Sequence, residues 1–282
     1  MSKNSISQKI SVSPTLLHVI CDYKAGGMEF GEIVNRLQYH LDNPHGVRIH
    51  PTEVPSLDTM AVGFVTAQYA YAPNRGQMFI YGNAAPRRSS SQAAKNNLDH
   101  GILYAKLKNG VEIVNVYSEY AFGFVKKDIV EFYDIDCPAA GSQFRSRDFF
   151  PERVAKLING DRSVLGKKLN IQDIPDIPHN QVAWTAGFGN IKTTMRKSDL
   201  DKSGFKTGQS VQVILNGVSM LGVIATGGFT VPRGVLAVNA GSSGYDDPFV
   251  ELFLRVHQMS EKTAAVRFDY PVGGTEFEIK GV

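Results

Sequence analysis

The sequence contains few of the residues on which several classes of protein depend. Its 282 residues include only two cysteines, Cys21 and Cys137, which excludes a disulfide framework and a four-cysteine metal site. Two thiols suit a reducing cytoplasm. No stretch approaches the roughly 18 consecutive apolar residues that span a bilayer, and the N-terminus lacks the apolar core of a secretory signal. We therefore expect a soluble, cytoplasmic protein.

The sequence also lacks an excess of either positive or negative charge. Thirty Lys and Arg against 27 Asp and Glu leave a net charge of +3, which does not favour nucleic acid or a membrane surface as a partner. His40, His45 and His50 lack the spacing of metal ligands, so we predict no metal site. A nucleophile elbow is missing as well, and nothing supports a Ser-His-Asp triad.

The order of apolar runs predicts two regions of different architecture. Up to residue 172, buried strands alternate with helical periodicity, which is typical of an α/β sheet with a ligand crevice at the carboxyl ends of its strands. The predicted elements are a strand at 16–21, helices through 33–37 and at 59–71, a strand at 78–81 and a hairpin around Asn109-Gly110. Residues 173–182 hold Pro175 and Pro178 and form a predicted linker. Residues 183–282 read as a small all-β domain, a barrel or sandwich, with a second hairpin at Asn216-Gly217.

The most informative segment is 144–161, FRSRDFFPERVAKLINGD. Asp148, Pro151 and Glu152 suit the first turn of an amphipathic helix that stops at Gly160. The preceding polar residues, two arginines and a serine, would offer a pocket to a small polar or anionic group. The alternative is a capped surface helix with incidental charges.

Three other sites have a chemical interpretation, and each has a structural alternative. Asp22, after a buried strand, would accept hydrogen bonds from a ribose diol or would cap the next helix. Phe188-Gly189-Asn190 would stack on a flat heteroaromatic base and bind its edge, or would form a turn. The small-residue loop Gly241–Gly244 would offer amides and hydroxyls to a carboxylate, but it is not a P-loop.

Taken in order, these segments resemble the SAM hydroxide adenosyltransferase family, which includes the SAM-dependent chlorinase and fluorinase. The resemblance extends over roughly residues 15–265. The matching motifs are Cys21-Asp22-Tyr23, Thr52-Glu53-Val54-Pro55 with Asp58, Leu98-Asp99-His100-Gly101, residues 144–160, Phe188-Gly189-Asn190 and Gly241-Ser242-Ser243-Gly244.

The resemblance implies an α/β domain followed by a β-barrel-like domain in a homotrimer. The active site would lie between the first domain of one subunit and the second domain of its neighbour. The implied reaction is in-line displacement at C5′ of S-adenosylmethionine (SAM), which is the substrate, with no cofactor and with methionine leaving. Because a sulfonium leaves readily, such an enzyme need only orient and desolvate the nucleophile.

Residue by residue, the resemblance implies substrate-binding roles on both domains. Asp22 would hold the ribose hydroxyls, and Phe188 and Asn190 would bind the adenine with Phe229 as a second wall. Ser242 and Ser243 would lie near the methionine carboxylate. The position three residues before Phe188, where the family has an acidic residue for the methionine ammonium, is Thr185.

At the reacting end, the chain departs from the hydrolase branch. The Asp, Arg and His that position water there correspond to Tyr81, Arg88 and Arg145, and a cationic Arg145 cannot act as a base. Tyr81 with Ser146 is similar to the halogenase branch, where a tyrosine and, in the fluorinase, a serine line the nucleophile pocket. We take Tyr81, Arg88, Arg145 and Ser146 as the candidate catalytic residues.

The sequence therefore predicts an enzyme that breaks a sulfonium carbon–sulfur bond, a halogenase-like transferase or a hydrolase, with halide or hydroxide attacking C5′. Two alternatives stay open. The absence of an acidic residue at Thr185 would fit attack on the aminocarboxypropyl side, even intramolecularly, releasing methylthioadenosine. The departures would also fit a catalytically degenerate nucleoside-binding protein.

Overall fold

The computed structural model describes residues 14–84, 101–138, 141, 142, 144–256 and 263–282, and within these ranges the chain forms two seven-stranded sheets. The strands of the first sheet are β1 (Thr15–Cys21), β2 (Val47–Glu53), β3 (Met78–Asn83), β4 (Ile102–Leu107), β5 (Glu112–Val116), β6 (Ile129–Ile135) and β7 (Leu165–Lys168). Those of the second are β8 (Val182–Thr185), β9 (Ile191–Arg196), β10 (Ser210–Leu215), β11 (Val218–Ala225), β12 (Leu236–Ala240), β13 (Phe249–Leu254) and β14 (Phe277–Gly281). The helices are α1 (Met28–His40), α2 (Thr59–Tyr71), α3 (Arg145–Asp148), α4 (Phe150–Ile158), α5 (Lys197–Lys202) and α6 (Ala264–Arg267).

The first sheet has the strand order β2-β1-β3-β5-β4-β6-β7. Strands β2, β1, β3 and β5 pair in parallel, and β4, β6 and β7 add to them in antiparallel fashion. Helices α1 and α4 contribute to the core on one face and α2 to the core on the other, which is why β3 is buried throughout its length. The carboxyl ends of the four parallel strands lie along one edge, where sheets of this kind bind ligands.

The second sheet has the order β14-β10-β11-β12-β13-β9-β8, with one parallel pair, β11 and β12. Its apolar side chains alternate along each strand, and one set, including Val213, Val238 and Leu252, forms a separate core with Phe268 after α6. Two mixed sheets with helices confirm the prediction at the level of an α/β part followed by a β-rich part.

Helix α2 lies between the two sheets. Most of its residues are buried, and Phe64 contacts Phe249 of β13 with the ring centroids 5.2 Å apart. Ala183 of β8 belongs to the same core. A helix that is apolar on every side is one that is covered on every side, and here one sheet covers each flank.

Most of the elements predicted from periodicity and turn residues are confirmed. The helix at 59–71 has the predicted bounds, and the hairpins at Asn109-Gly110 and Asn216-Gly217 form as β4-β5 and β10-β11. Segment 144–161 is helical, but the helix is interrupted at Phe149, which gives the four-residue α3 and then α4. Asp148 does not cap α4, because its carboxylate binds Ser142 and Arg147 instead.

No helix among the described residues is long and apolar enough to cross a membrane.

A stacked histidine joins α2 to the first sheet. The ring of His18 on β1 lies 4.0 Å from that of Tyr69 on α2 and 5.7 Å from that of His50 on β2. The Tyr69 hydroxyl bonds Thr52 at 2.9 Å, which fixes the stack. Burial, and secondarily His50, lowers the pKa of His18 from its ordinary 6.5 to about 4.

We expect His18→Phe to flatten the acid dependence of stability. Between pH 4 and 6.5 His18 is largely protonated in the unfolded chain and largely neutral in the folded chain. The free energy of unfolding therefore rises with pH across this window. Phenylalanine keeps the stack on Tyr69 and removes the titration. The effect should be on the order of 1 kcal/mol, since partial exposure of the ring screens it. Urea unfolding at pH 4.5 and 7 measures it, with the exposed His45→Gln as control. An unchanged pH slope in His18→Phe would contradict the assignment.

Candidate active site

The first polar cluster at the carboxyl edge surrounds Ser146. The Tyr23 hydroxyl, after β1, lies 2.9 Å from the Ser146 hydroxyl, and the Tyr81 hydroxyl, on β3, donates to the Ser146 carbonyl at 3.3 Å. Tyr81 is fully buried, and this burial raises its pKa well above the ordinary range. Tyr81 therefore stays a neutral donor. The structure thus brings Tyr81 and Ser146 together through the Ser146 backbone, and adds Tyr23.

Arg145 is buried beside this cluster. Only 9% of the residue is exposed, and its guanidinium lies 5.2 Å from the ring centroid of Phe150. It also bonds the Cys137 thiol, whose pKa is raised because burial outweighs the favourable arginine charge. An arginine stays protonated in proteins, so Arg145 places a permanent positive charge beside Phe150 and Cys137, at the residue next to Ser146.

Arg147, two residues on, behaves differently. It pairs with Asp148 at 2.8 Å and with Glu32 of α1 at 3.4 Å, and a third of its side chain is exposed. The predicted polar segment therefore divides between a surface ion-pair network and a buried pair, Arg145 and Ser146. Of these residues, Ser146 contacts the two tyrosines.

Two aspartates lie where α2 begins. The Asp22 carboxylate accepts the N–H of Leu57 at 3.0 Å, so Asp22 does not cap α1, whose N-cap is Gly27. Asp58 caps α2 through the N–H of Ala61 at 2.8 Å and also accepts the N–H of Gly273 at 2.9 Å. Burial outweighs these bonds and raises the pKa of Asp58. The segment before β14 is thereby held against the α2 N-terminus, next to Asp22.

Asn115 is a candidate that the sequence reasoning missed. It is fully buried on β5, and neither atom of its amide has a partner in the described part of the chain. The amide lies over Gly82, since a Cβ there would be 2.5 Å from it. Gly82 is also the register partner of Ile20, two residues before Asp22. An asparagine inside the apolar run EIVNV was the available signal, because an amide is costly to bury without a partner.

The predicted base-binding residues lie on the second sheet. Residues Phe188-Gly189-Asn190 form the tight turn between β8 and β9, closed by the Ala186 N–H on the Asn190 carbonyl at 2.9 Å. Phe188 is 66% exposed and Phe229 is 77% exposed, so both rings have a free face. Thr185 donates its hydroxyl to the Pro271 carbonyl at 3.5 Å. Residues 188–190 therefore form a turn, as the structural alternative predicted, and the ring of Phe188 in that turn keeps an exposed face.

The serine loop lies far from Asp22 within one chain. The Ser243 hydroxyl is buried without a hydrogen-bond partner in the described residues, whereas Ser242 is exposed. The loop is held to α2 because the Tyr245 hydroxyl donates to the Gln68 carbonyl at 2.7 Å. Gln68 is ten residues beyond Asp58, about 15 Å along the helix at 1.5 Å per residue. One chain therefore places Asp22 and the serine loop near opposite ends of α2.

Arg88 and the motif residues Leu98, Asp99 and His100 lie outside the described residues. Among those that the structure describes, no group of three or more His, Cys, Asp or Glu side chains is arranged to hold a metal ion.

Comparisons with known proteins show the fold alone. No protein-family model matches the chain, and no curated protein sequence matches it. An uncharacterized conserved protein of Thermotoga maritima has a similar structure, with a TM-score of 0.69 and 17% sequence identity over 93% of this chain and 99% of that one. A conserved hypothetical protein of Thermus thermophilus has a TM-score of 0.63 and 15% identity over 94% and 99% of the respective chains. The chain shares its architecture with proteins of both bacteria.

Proposed function

We propose that this protein binds SAM and breaks a carbon–sulfur bond of its sulfonium, with a halide or hydroxide attacking C5′ and methionine leaving. The observation that carries the proposal is the set of contacts that Tyr23 and Tyr81 make with Ser146, with the buried Arg145 next to Ser146 in the chain. A positive charge and hydroxyl donors in a site of low dielectric suit a small anion. Arg145 cannot accept a proton, so the nucleophile would arrive already anionic.

In this proposal different residues at the carboxyl edge of the first sheet bind the ribose and the nucleophile. Asp22 follows β1 and would hold the ribose hydroxyls, while the anion would lie toward Ser146 and Tyr81. Asn115, on the same face as Asp22, would supply a further amide to the sugar. Held in line with the departing sulfur, a desolvated anion needs no further acid or base, because the sulfonium leaves as a neutral thioether.

A second copy of the chain would complete the site. Asp58, next to the residue that Asp22 contacts, and Gln68, which holds the serine loop, are about 15 Å apart along α2, and Phe188 and Phe229 have exposed faces on the second sheet. We infer that the adenine and methionine ends contact the second sheet of a neighbouring subunit, in a cytoplasmic homotrimer. In this proposal residues 1–172 form the α/β domain, 173–182 the linker and 183–282 a barrel-like domain.

One incubation tests the reaction. The purified protein is incubated with SAM in halide-free buffer and, in parallel, with added chloride or fluoride. The products are separated by chromatography and identified by mass spectrometry. Adenosine or a 5′-halonucleoside, formed with an equal amount of methionine, is the expected result. Methylthioadenosine would instead indicate attack on the aminocarboxypropyl side. Nucleoside binding without turnover would indicate a degenerate binding protein, and absence of binding would refute the proposal.

A further inference from the structure

A residue with left-handed backbone orients the Asp22 carboxylate. Residues 55–58 form a turn, in which the Asp58 N–H donates to the Pro55 carbonyl at 3.1 Å. The third residue of this turn, Leu57, has a φ of 64°, at a position that usually holds glycine when φ is positive. In this conformation the Leu57 N–H donates to the Asp22 carboxylate at 3.0 Å. The direction of the Asp22 side chain therefore depends on the backbone at Leu57.

Asp58 holds the chain immediately after Leu57. Its carboxylate accepts the N–H of Ala61 at 2.8 Å, as the N-cap of α2, and the N–H of Gly273 at 2.9 Å. A Cβ on Gly273 would overlap this carboxylate, so the segment before β14 can approach so closely only because it has no side chain there. Asp58 is thus fixed by α2 on one side and by the second sheet's chain on the other.

The left-handed backbone at Leu57 needs such support. A residue with a side chain is less stable in this conformation, because its Cβ is crowded against the backbone, and the conformation persists only where surrounding contacts hold it. The Leu57 side chain is 43% exposed, so packing in the core does not supply the support. The bonds on either side of the residue do, at Asp22 and at Asp58.

We propose that Asp58 is a positioning residue for the ribose. It fixes the backbone of Leu57, and the Leu57 N–H in turn fixes the Asp22 carboxylate. A carboxylate accepts up to about four hydrogen bonds, so a diol can share Asp22 with this N–H. The inference rests on the proposed function, in which Asp22 holds the ribose hydroxyls. Because Asp58 also bonds Gly273, the second sheet takes part in setting the ribose subsite of the same chain.

The test compares two nucleosides that differ only in the diol. Adenosine carries both ribose hydroxyls, and 2′,3′-dideoxyadenosine carries neither. Calorimetry of the full-length protein should show adenosine binding about 10- to 100-fold more tightly, as expected for hydrogen bonds to a charged group. Asp58→Ala should reduce this ratio to about threefold or less and leave the affinity for dideoxyadenosine within about threefold of wild type. In an Asp22→Ala background, Asp58→Ala should not change the ratio further, because Asp58 acts through Asp22.

Three further variants separate positioning from folding. Asp58→Asn keeps an oxygen that can cap α2, so its ratio should lie between those of Asp58→Ala and wild type. Gly273→Ala presses on the Asp58 carboxylate from the other side and should lower the ratio, even if Asp58→Ala fails to fold. Glu112→Gln is the control, because Glu112 is a buried carboxylate on β5 that pairs with Arg162 at 2.6 Å. It should lower stability without altering the ratio.

The outcomes distinguish the inference from the proposed function. If Asp58→Ala and Gly273→Ala keep the wild-type ratio, or weaken both nucleosides equally, the positioning role is overturned while the proposed function stands. If the wild-type protein binds the two nucleosides equally, Asp22 does not hold the ribose, and the positioning role fails with it. If the wild-type protein binds neither nucleoside nor SAM, the proposed function itself fails.

Discussion

Replacing Arg145 by methionine should lower turnover of SAM by about 10²- to 10³-fold, the usual cost of removing one preorganised group that stabilises charge in a closed site. Methionine retains an apolar stem against Phe150 and removes the guanidinium. Since Arg145 would hold the anionic nucleophile and not the nucleoside, the loss should appear in the turnover number and in the dependence on halide concentration. The affinity for S-adenosylhomocysteine should change little. Steady-state kinetics and calorimetry on the same preparation measure both quantities.

Arg147→Met is the control for this substitution. It removes an arginine from the same helix, but one that is a third exposed and engaged with Asp148 and Glu32 at the surface. Exposed ion pairs contribute only about 0–1 kcal/mol, so activity should stay within about twofold of wild type. If the role of Arg145 is only structural, the Arg145→Met variant should lose nucleoside affinity and thermal stability together. An Arg145→Met protein that keeps more than a tenth of wild-type activity would exclude a role in binding the nucleophile.

Arg145 is buried and Arg147 is partly exposed, and the sequence alone does not predict this difference. Periodicity and the Asn-Gly turns predicted the strands, α2 and both hairpins, because each of those signals is local. Asp22 could also be placed, since a residue that follows a buried parallel strand must lie at the carboxyl edge. Arg145 and Arg147 lie in the same helical turn, however, and only the chain packed around them determines that one is buried and the other pairs with α1.

Distant contacts account for the other omissions. Asp58 could be predicted as a cap of α2, but its bond to Gly273 joins residues 215 positions apart. Asn115 can be noticed in the sequence as the polar residue of an apolar run, but its position over Gly82 is known only once the strand register is known. The sequence could therefore place the edge of the site but not its unpaired groups.

Gly63→Ala should produce the largest loss of stability, although alanine is normally the better residue in a helix. Gly63 lies in the interior of α2, where a Cβ would overlap the backbone carbonyl oxygen of Tyr120 and press on the Phe124 ring. A carbonyl in a packed turn cannot move aside as a flexible side chain can. Overpacking of this kind costs about 3 kcal/mol, which exceeds the roughly 1 kcal/mol that alanine gains in helix propensity. The midpoint of urea unfolding measures the difference.

Gly31→Ala is the matched substitution, because Gly31 lies within α1 and a Cβ there meets no atom within 4 Å. With nothing to overlap, propensity alone should act, and the variant should be more stable by about 0.5–1 kcal/mol. The two substitutions should change stability in opposite directions because α2 is enclosed between two sheets, whereas α1 has a solvent-exposed face at Gly31. Equal stabilisation by both substitutions would mean that α2 is not packed against the turn at Tyr120. It would also contradict the enclosure of α2 between the two sheets, which the contact of Phe64 with Phe249 and the bond of Asp58 to Gly273 describe.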